Sequence, residues 1–302
     1  MKSREATALR LLRSSADKSY DPDVDIDWDA PELPDKLFLP EELVTLYGTP
    51  LWETMTDQQK RDLGRYELAW ITSQGIMAEL GLMTMLVRVA SMHDPTTSHV
   101  HYALTEVADE CRHSTMFSRG LEAHTRPDDP DLPRPPRWMI RGARLMGALL
   151  PIGPLSWAGT LLVEDILDKL QRETMNDESI QPRVRMVNRI HVIEEARHMT
   201  YARDELTRSV ERAGPVTLAL TRLILGVLAL TNPLLQMHPR VYKDVGLDPY
   251  EARRQALANP HRRQAMARHS ERFVATMEEA GLIKGRVTTA LWRRSDLTPR
   301  SA

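Results

Sequence analysis

One segment decides the fold of this chain: residues 188–198 read NRIHVIEEARH. An α-helix advances about 100° per residue, so Glu195 lies about 40° from His191 around the axis, and His198 lies about 20° to the other side. Two imidazoles and one carboxylate therefore share one face of a helix within two turns. Glu195 and His198 form Glu-x-x-His, the ligand spacing that di-metal helical bundles use.

The same spacing occurs a second time, at residues 110–113, which read ECRH. Residues 195–198 read EARH, so an arginine directly precedes the histidine in both motifs. A single Glu-x-x-His is weak evidence, because helices are rich in glutamate and exposed pairs arise by coincidence. Two motifs with the same ending predict a pair of metal-binding helices, each donating one carboxylate and one imidazole.

A bundle site of this type takes one further inward glutamate from each of two other helices. Glu79 lies in the apolar stretch IMAELGLM (76–83), and Glu164 lies in LLVEDIL (161–167). A buried carboxylate without a partner is costly, and a metal pair supplies one. Carboxylate and imidazole suit iron, with manganese as an alternative. The sequence predicts a ligand set of seven residues: Glu79, Glu110, His113, Glu164, His191, Glu195 and His198.

Glu106 is left open between two roles. It lies about 40° from Glu110 on the same helix, so it faces the bundle with that ligand. It is either a further metal ligand or an acid that orients one, and the spacing alone does not distinguish these roles.

The composition favours an all-α fold. Hydrophobic residues make up 42% of the 302 residues but aromatic residues only 5%, and alternating strand-type runs are hard to find. Leu, Ala, Met, Arg and Glu, which dominate, are good helix formers. Capping and breaking residues predict four long helices, and hence a four-helix bundle with additional helices. These helices span residues 56–92, 96–124, 155–175 and 181–213.

The chain is predicted to form one helical di-metal domain over residues 41–283. Residues 1–40 are polar and contain Pro31, Pro34 and Pro40 near their end, which predicts an irregular N-terminal arm. Residues 284–302 are basic and are predicted to form a loose tail.

Charge and hydropathy exclude other classes of protein. The net charge of -2 argues against a nucleic-acid binder, and the single cysteine excludes an intrachain disulfide and fits a cytoplasmic protein. Two stretches of the chain are largely apolar. Residues 139–163 are interrupted by Pro151 and Pro154, and residues 216–235 contain the charged Arg222. They are therefore predicted to be core helices or a homodimer face and not membrane spans.

Taken together, the two motifs and His191 resemble the p-aminobenzoate N-oxygenase family, whose members are di-iron arylamine oxygenases with a ferritin-like bundle. The third histidine, in His191-x-x-x-Glu195-x-x-His198, is the distinguishing feature, because ordinary ferritin-like sites lack it. The similarity extends over about residues 56–213. It implies that Glu79 and Glu164 are the first and third glutamate ligands, with Glu110 and Glu195 bridging.

The resemblance also implies a function: two iron ions activate O2 and oxidise an amine nitrogen stepwise toward hydroxylamine and nitro products. O2, a small-molecule substrate and an external electron donor are the expected partners. Two alternatives stay open from the sequence, a ferroxidase or metal-storage bundle and a di-iron hydroxylase of an aliphatic substrate.

Overall fold

The computed structural model describes residues 3–126, 129 and 134–299. Within these ranges the secondary structure is helical, without strands beyond an isolated bridge between Leu37 and Ile180. The predicted all-α class is confirmed. A 3-10 turn covers Glu41–Leu43. The α-helices are α1 (Arg4–Asp17), α2 (Pro22–Asp25), α3 (Pro50–Thr54), α4 (Asp57–Ser91), α5 (Ser98–Ala123), α6 (Arg137–Leu149), α7 (Pro154–Asn176), α8 (Pro182–Arg212), α9 (Pro215–Gln236), α10 (Pro239–Lys243), α11 (Pro249–Ala258), α12 (Pro260–Glu279) and α13 (Arg286–Arg294).

The four long helices α4, α5, α7 and α8 form a ferritin-like bundle, in which α4 packs against α5 and α7 against α8. Their observed bounds differ from the predicted ones by no more than two residues. Local chemistry sets these ends: Thr56 and Gln59 form a capping box at the start of α4, and Thr97 caps α5. Pro154 and Pro182 occupy the first turns of α7 and α8, where no backbone N–H is needed.

The prediction of an irregular arm over residues 1–40 is wrong for α1; residues 1–2 lie outside the described residues. This helix packs against α5 and α8, burying Ala8 and Leu11. Arg4 Nη2 pairs with Glu205 Oε2 at 2.6 Å. A helix of 14 residues is marginal in isolation, so packing against the bundle stabilises α1.

The prediction of a loose tail over residues 284–302 is wrong for the described part, which ends at residue 299. Helix α13 packs on α9, and Trp292 and Leu297 are buried. The approach is close: a Cβ added to Gly226 would lie 2.9 Å from Leu291 Cδ1. The many basic residues of this segment led to the prediction of a loose tail, although Trp292 and Leu297 give it an apolar side.

Helix α9 is more exposed than an ordinary core helix. The segment Pro215–Lys243 is long and apolar enough to cross a membrane by length and composition, and 28% of its apolar window is buried. A core helix of a soluble protein passes the same test. The predicted absence of membrane contact therefore stays a prediction.

Glu67, on α4, makes the stability of the folded chain depend on pH. Glu67 is buried, and its carboxylate accepts hydrogen bonds from Thr45 N (3.0 Å) and Thr45 Oγ1. Burial raises the pKa of Glu67 to about 7, although the bonds from Thr45 oppose the shift. The folded state therefore holds this proton more tightly than the unfolded state does. Its contribution to stability is present at low pH and is lost as pH rises from the ordinary glutamate pKa through 7.

We expect Glu67→Gln to flatten this dependence, because glutamine stays neutral and can still accept from Thr45. The loss in the free energy of unfolding between pH 4 and pH 8 should be about 3 kcal/mol smaller in the variant than in the wild type. Urea unfolding at the two pH values measures the difference. If the free energy of unfolding changed equally with pH in the wild type and in Glu67→Gln, buried Glu67 would not hold a proton in the folded state.

Candidate metal centre

The structure brings all seven predicted ligand residues together inside the bundle. Each is buried, with at most 4% of its surface exposed. Their ligand atoms form three groups in which all atoms lie within 4.8 Å of one another. The groups are Glu110, His113, Glu195 and His198; Glu79, His113 and His191; and Glu164, His191 and Glu195.

Glu195 belongs to two of these groups and joins the two ends of the cluster. Its Oε2 lies 2.9 Å from His198 Nδ1 and 3.9 Å from His191 Nε2. Glu110 Oε1 lies 3.0 Å from the same nitrogen of His198. This central position suits a carboxylate that binds two cations.

Three carboxylates of the cluster keep an oxygen free for a cation. Glu79 Oε2 accepts a hydrogen bond from Ser114 Oγ at 2.6 Å, whereas its Oε1 is buried without a hydrogen-bond partner among the described residues. Glu110 Oε1 and Glu195 Oε1 likewise have no hydrogen-bond partner among these residues. Buried oxygens without donors are rare in proteins, and a bound cation is one of the partners that accounts for them.

Two of the three imidazoles use their outer nitrogen to contact an acid on the opposite helix. His113 on α5 lies 2.9 Å from Glu194 on α8, measured from Nε2 to Oε2. His198 on α8 lies 3.2 Å from Asp109 on α5, measured from Nε2 to Oδ2. The inner Nδ1 of each ring faces the cluster. A carboxylate on the far nitrogen is what orients metal-binding histidines and raises their basicity.

His191 follows the same rule with a neutral partner. Its Nδ1 lies 2.7 Å from Gln171 Oε1, and its Nε2 lies 3.5 Å from Glu79 Oε1. Sequence reasoning missed Gln171, Asp109 and Glu194. A signal for the two acids was present, because each directly precedes the glutamate of its motif and so points about 100° away, toward the next helix.

Burial and mutual repulsion shape the electrostatics of the cluster. Burial raises the pKa of Glu164 well above its ordinary value, and Glu195, Glu110 and Glu79 add to the shift. Burial lowers the pKa of His113, but hydrogen bonds to Glu110 and Glu194 raise it to about 10. Carboxylates that favour a proton on a neighbouring imidazole this strongly would equally favour a metal cation.

The arginines of the two motifs pair with the outer acids and not with the cluster. Arg112 contacts Asp109, and Arg197 lies 3.4 Å from Asp109 and 3.8 Å from Glu194. Two cations therefore balance the two outer acids. When all four are ionised, the glutamates of the cluster would supply four negative charges, equal to the charge of two divalent ions.

Comparison with known proteins agrees with this geometry. Residues 1–281 match the family model of p-aminobenzoate N-oxygenase AurF. The chain belongs to this family. The predicted resemblance is therefore confirmed, and it extends beyond the segment from which it was inferred.

Relatives of this AurF-family chain include the uncharacterised proteins Rv0885 of Mycobacterium tuberculosis and Mb0909 of Mycobacterium bovis. Each is 27% identical over 207 residues, which cover 67% of this chain and 60% of theirs. The match thus spans about 60% of the length of these relatives.

Glu106 lies inside this AurF-family bundle but outside the three ligand groups. It is fully buried, and neither carboxylate oxygen has a hydrogen-bond partner among the described residues. Burial raises its pKa well above the ordinary value, although His198 nearby opposes the shift. Burial therefore disfavours a charge on Glu106, and the choice between its two predicted roles stays a prediction.

The outer acids should control metal affinity. We expect Glu194→Gln to weaken iron binding about 10- to 100-fold, because a neutral amide accepts a weaker hydrogen bond from His113 than a carboxylate does. Competition with a chelator measures the affinity. Glu211→Gln, at an exposed position of the same helix, is the matched control and should bind iron as the wild type does. Wild-type affinity in Glu194→Gln would show that this acid does not support a ligand.

Proposed function

We propose that this protein is a non-haem di-iron oxygenase that uses O2 to oxidise a small organic substrate, and that the reaction is N-oxygenation of an arylamine. The observation that carries the proposal is the buried cluster of four glutamates and three histidines on four helices. Membership in an oxygenase family supports it. The same donor set would also accept manganese.

The proposed ligands are Glu79, Glu110, His113, Glu164, His191, Glu195 and His198. Two iron ions held by them would supply the redox chemistry that activates O2. The protein's contribution is to hold the donors in place before metal arrives: Glu194, Asp109 and Gln171 fix the rings of the three histidines. Preorganised donors of this kind bind metal without a large rearrangement.

The surroundings favour an oxygenase over the ferroxidase or metal-storage alternative. A mostly apolar cavity of about 40 Å³ lies among α4, α5, α7 and α8 and includes Gln171, the partner of His191. Organic substrates occupy apolar cavities with a few polar groups. A route for iron ions would instead need polar groups along its length.

The test is to load the chain anaerobically with Fe(II), measure bound iron, and then mix it with O2 while recording the visible spectrum. We expect two iron ions per chain, a transient absorption change, and oxidised product when an arylamine and an electron donor are present. Iron that oxidises without a transient and without product would favour the storage alternative. Product from an aliphatic substrate alone would favour the hydroxylase alternative.

We also propose that two copies associate through α9, as the sequence analysis expected. Six exposed apolar residues of α9 follow one another at intervals of four and three positions in turn. This spacing is typical of the contact face between two packed helices. They are Val216, Leu220, Leu223, Val227, Leu230 and Leu234. Ile224 and Leu235, also exposed, extend this apolar surface along the helix. The contact face carries no charge, so a second copy of itself is a matching partner.

Light scattering after size-exclusion chromatography tests this association. The wild type should be a dimer, and Leu223→Lys should be a monomer, because each copy would bring a charge into the contact face. Leu104→Lys, on the exposed surface of α5, is the matched control and should stay dimeric. A monomeric wild type that binds lipid vesicles would replace the dimer with a membrane contact.

A further inference from the structure

The apolar cavity in the bundle lies one helical turn from the ligand cluster. Gly75 precedes Glu79 by four residues on α4, and Phe117 follows His113 by four on α5. The ring of Phe117 packs on His191, with 4.9 Å between ring centroids. The lining contains none of the seven ligand residues, so a molecule in the cavity would meet the cluster through Phe117 and Gln171, which both contact His191.

The charges of the described lining residues are already balanced. Arg65 is the one lining residue among them with a permanent charge. Its Nη2 donates to Asp129 Oδ1 at 2.7 Å, and its Nη1 donates to the backbone oxygen of His124 at 2.9 Å. Asp62 adds a second carboxylate at 3.6 Å. The two carboxylates therefore balance the charge of Arg65, although its Nε is buried without a hydrogen-bond partner among the described residues.

The second titratable lining residue, His124, is neutral. Burial, together with Arg183, Arg65 and Arg126, lowers its pKa to about 4. A carboxylate placed in this cavity would therefore find no unpaired cation among the described lining residues. Burying such a charge without a partner is strongly unfavourable.

The cavity nevertheless offers polar atoms to a ligand. Asn188 Nδ2 and His124 Nδ1 are buried and have no hydrogen-bond partner among the described residues. Each such atom costs free energy unless something bonds to it. Their presence in a largely apolar cavity fits an uncharged molecule with one or two hydrogen-bonding groups.

The size of the cavity sets a further condition. At about 40 Å³ it is smaller than the ~150 Å³ cavity that holds a benzene ring in an engineered protein core. An aromatic ring therefore enters only if lining side chains repack. Gly120 leaves room for this, because a Cβ there would meet no atom within 4 Å, whereas a Cβ on Gly75 would already contact the ring of Phe117 at 3.7 Å.

We propose that this cavity, as the substrate site of the proposed oxygenase, selects uncharged aromatic amines and excludes amines that carry a carboxylate, because Asp129 neutralises Arg65. The inference rests on the proposed function for the reaction at the amine. The binding preference itself follows from the cavity alone. This preference would distinguish the substrate of this chain from p-aminobenzoate, the substrate in the name of its family, because p-aminobenzoate carries a carboxylate.

The test is calorimetric titration of the anaerobic, Fe(II)-loaded full-length chain with two probes, aniline and p-aminobenzoate, both of which present a neutral amine at neutral pH. Aniline should bind at least about 10-fold more tightly. Asp129→Asn should strengthen p-aminobenzoate binding about 10-fold by releasing the charge of Arg65, and should leave aniline binding unchanged. Equal affinity of the wild type for both probes, or an unchanged preference in Asp129→Asn, would overturn the proposal.

A second variant locates the binding. Gly120→Leu should fill the cavity and weaken aniline binding at least about 10-fold, whereas Gly159→Leu, at a helix position with open space outside the cavity, should not. Circular dichroism and iron content establish that both variants fold. Aniline binding that survives Gly120→Leu would place the ligand elsewhere. These titrations need no turnover, so a chain that binds aniline as expected but fails to react with O2 would refute the oxygenase and leave the selectivity intact.

Discussion

Replacing Glu110 with alanine is expected to lower bound iron from two ions to fewer than one per chain and to abolish the reaction with O2. Glu110 lies in the group of four donors, with Oε1 3.0 Å from His198 Nδ1 and Oε2 3.4 Å from His113 Nδ1. Burial raises its pKa, but His198 and His113 outweigh burial and hold the pKa well below its usual range. His198 and His113 therefore favour a negative charge on Glu110 within the group of four donors.

Removing that charge should act on both proposed iron positions, because the family resemblance implies that Glu110 bridges them. Iron content after anaerobic loading and desalting measures the loss. Glu122→Ala, at an exposed position of the same helix, should retain two iron ions. A Glu110→Ala chain that still binds two iron ions would mean that the proposed ligand set is wrong. Replacing His191 should have a milder effect, since six donors remain, and should alter O2 reactivity more than iron content.

Replacing Glu164 with glutamine is expected to move stability in opposite directions with and without metal. Burial and the carboxylates of Glu195, Glu110 and Glu79 disfavour a charge on Glu164. In the metal-free chain, the neutral amide relieves this repulsion and should stabilise the fold by about 1 kcal/mol or more. In the metal-loaded chain, the same change removes an anionic ligand and weakens binding, and with it the stabilisation that binding gives.

Thermal unfolding with and without excess Fe(II), under anaerobic conditions, measures both effects. The metal-free variant should melt a few degrees above the wild type, on the order of 3 °C for 1 kcal/mol. Its rise in Tm on adding iron should be smaller than that of the wild type. Glu271→Gln, on the exposed side of α12, should leave both values unchanged. A wild-type rise in Tm for Glu164→Gln would exclude this residue as a ligand.

The structure also explains why this site tolerates so much buried charge. The four glutamates of the cluster are matched by the proposed metal pair, and the outer acids Asp109 and Glu194 are matched by Arg112 and Arg197. Buried charges persist in proteins when they are paired in this way. The arginine that ends each motif thus has a defined partner, which the repeated sequence indicated but did not identify.

Local sequence determined the helices and the donors within them. The ends of α4, α5, α7 and α8 follow from capping residues and prolines that act within one turn, so the predicted bounds differ from the observed ones by no more than two residues. The i, i+3 and i, i+4 relations of His191, Glu195 and His198 are fixed by helix geometry alone. For that reason the donor face of α8 could be predicted before any packing was known.

Which helices meet, and in what register, depends on packing between distant parts of the chain. The tertiary structure placed Glu194 of α8 against His113 of α5, paired His191 with Gln171, and set the neutralised Arg65 in the wall of the cavity. It also packed α1 against α5 and α8, and α13 against α9. Contacts between residues far apart in the chain depend on how whole surfaces pack, and no local pattern encodes that information.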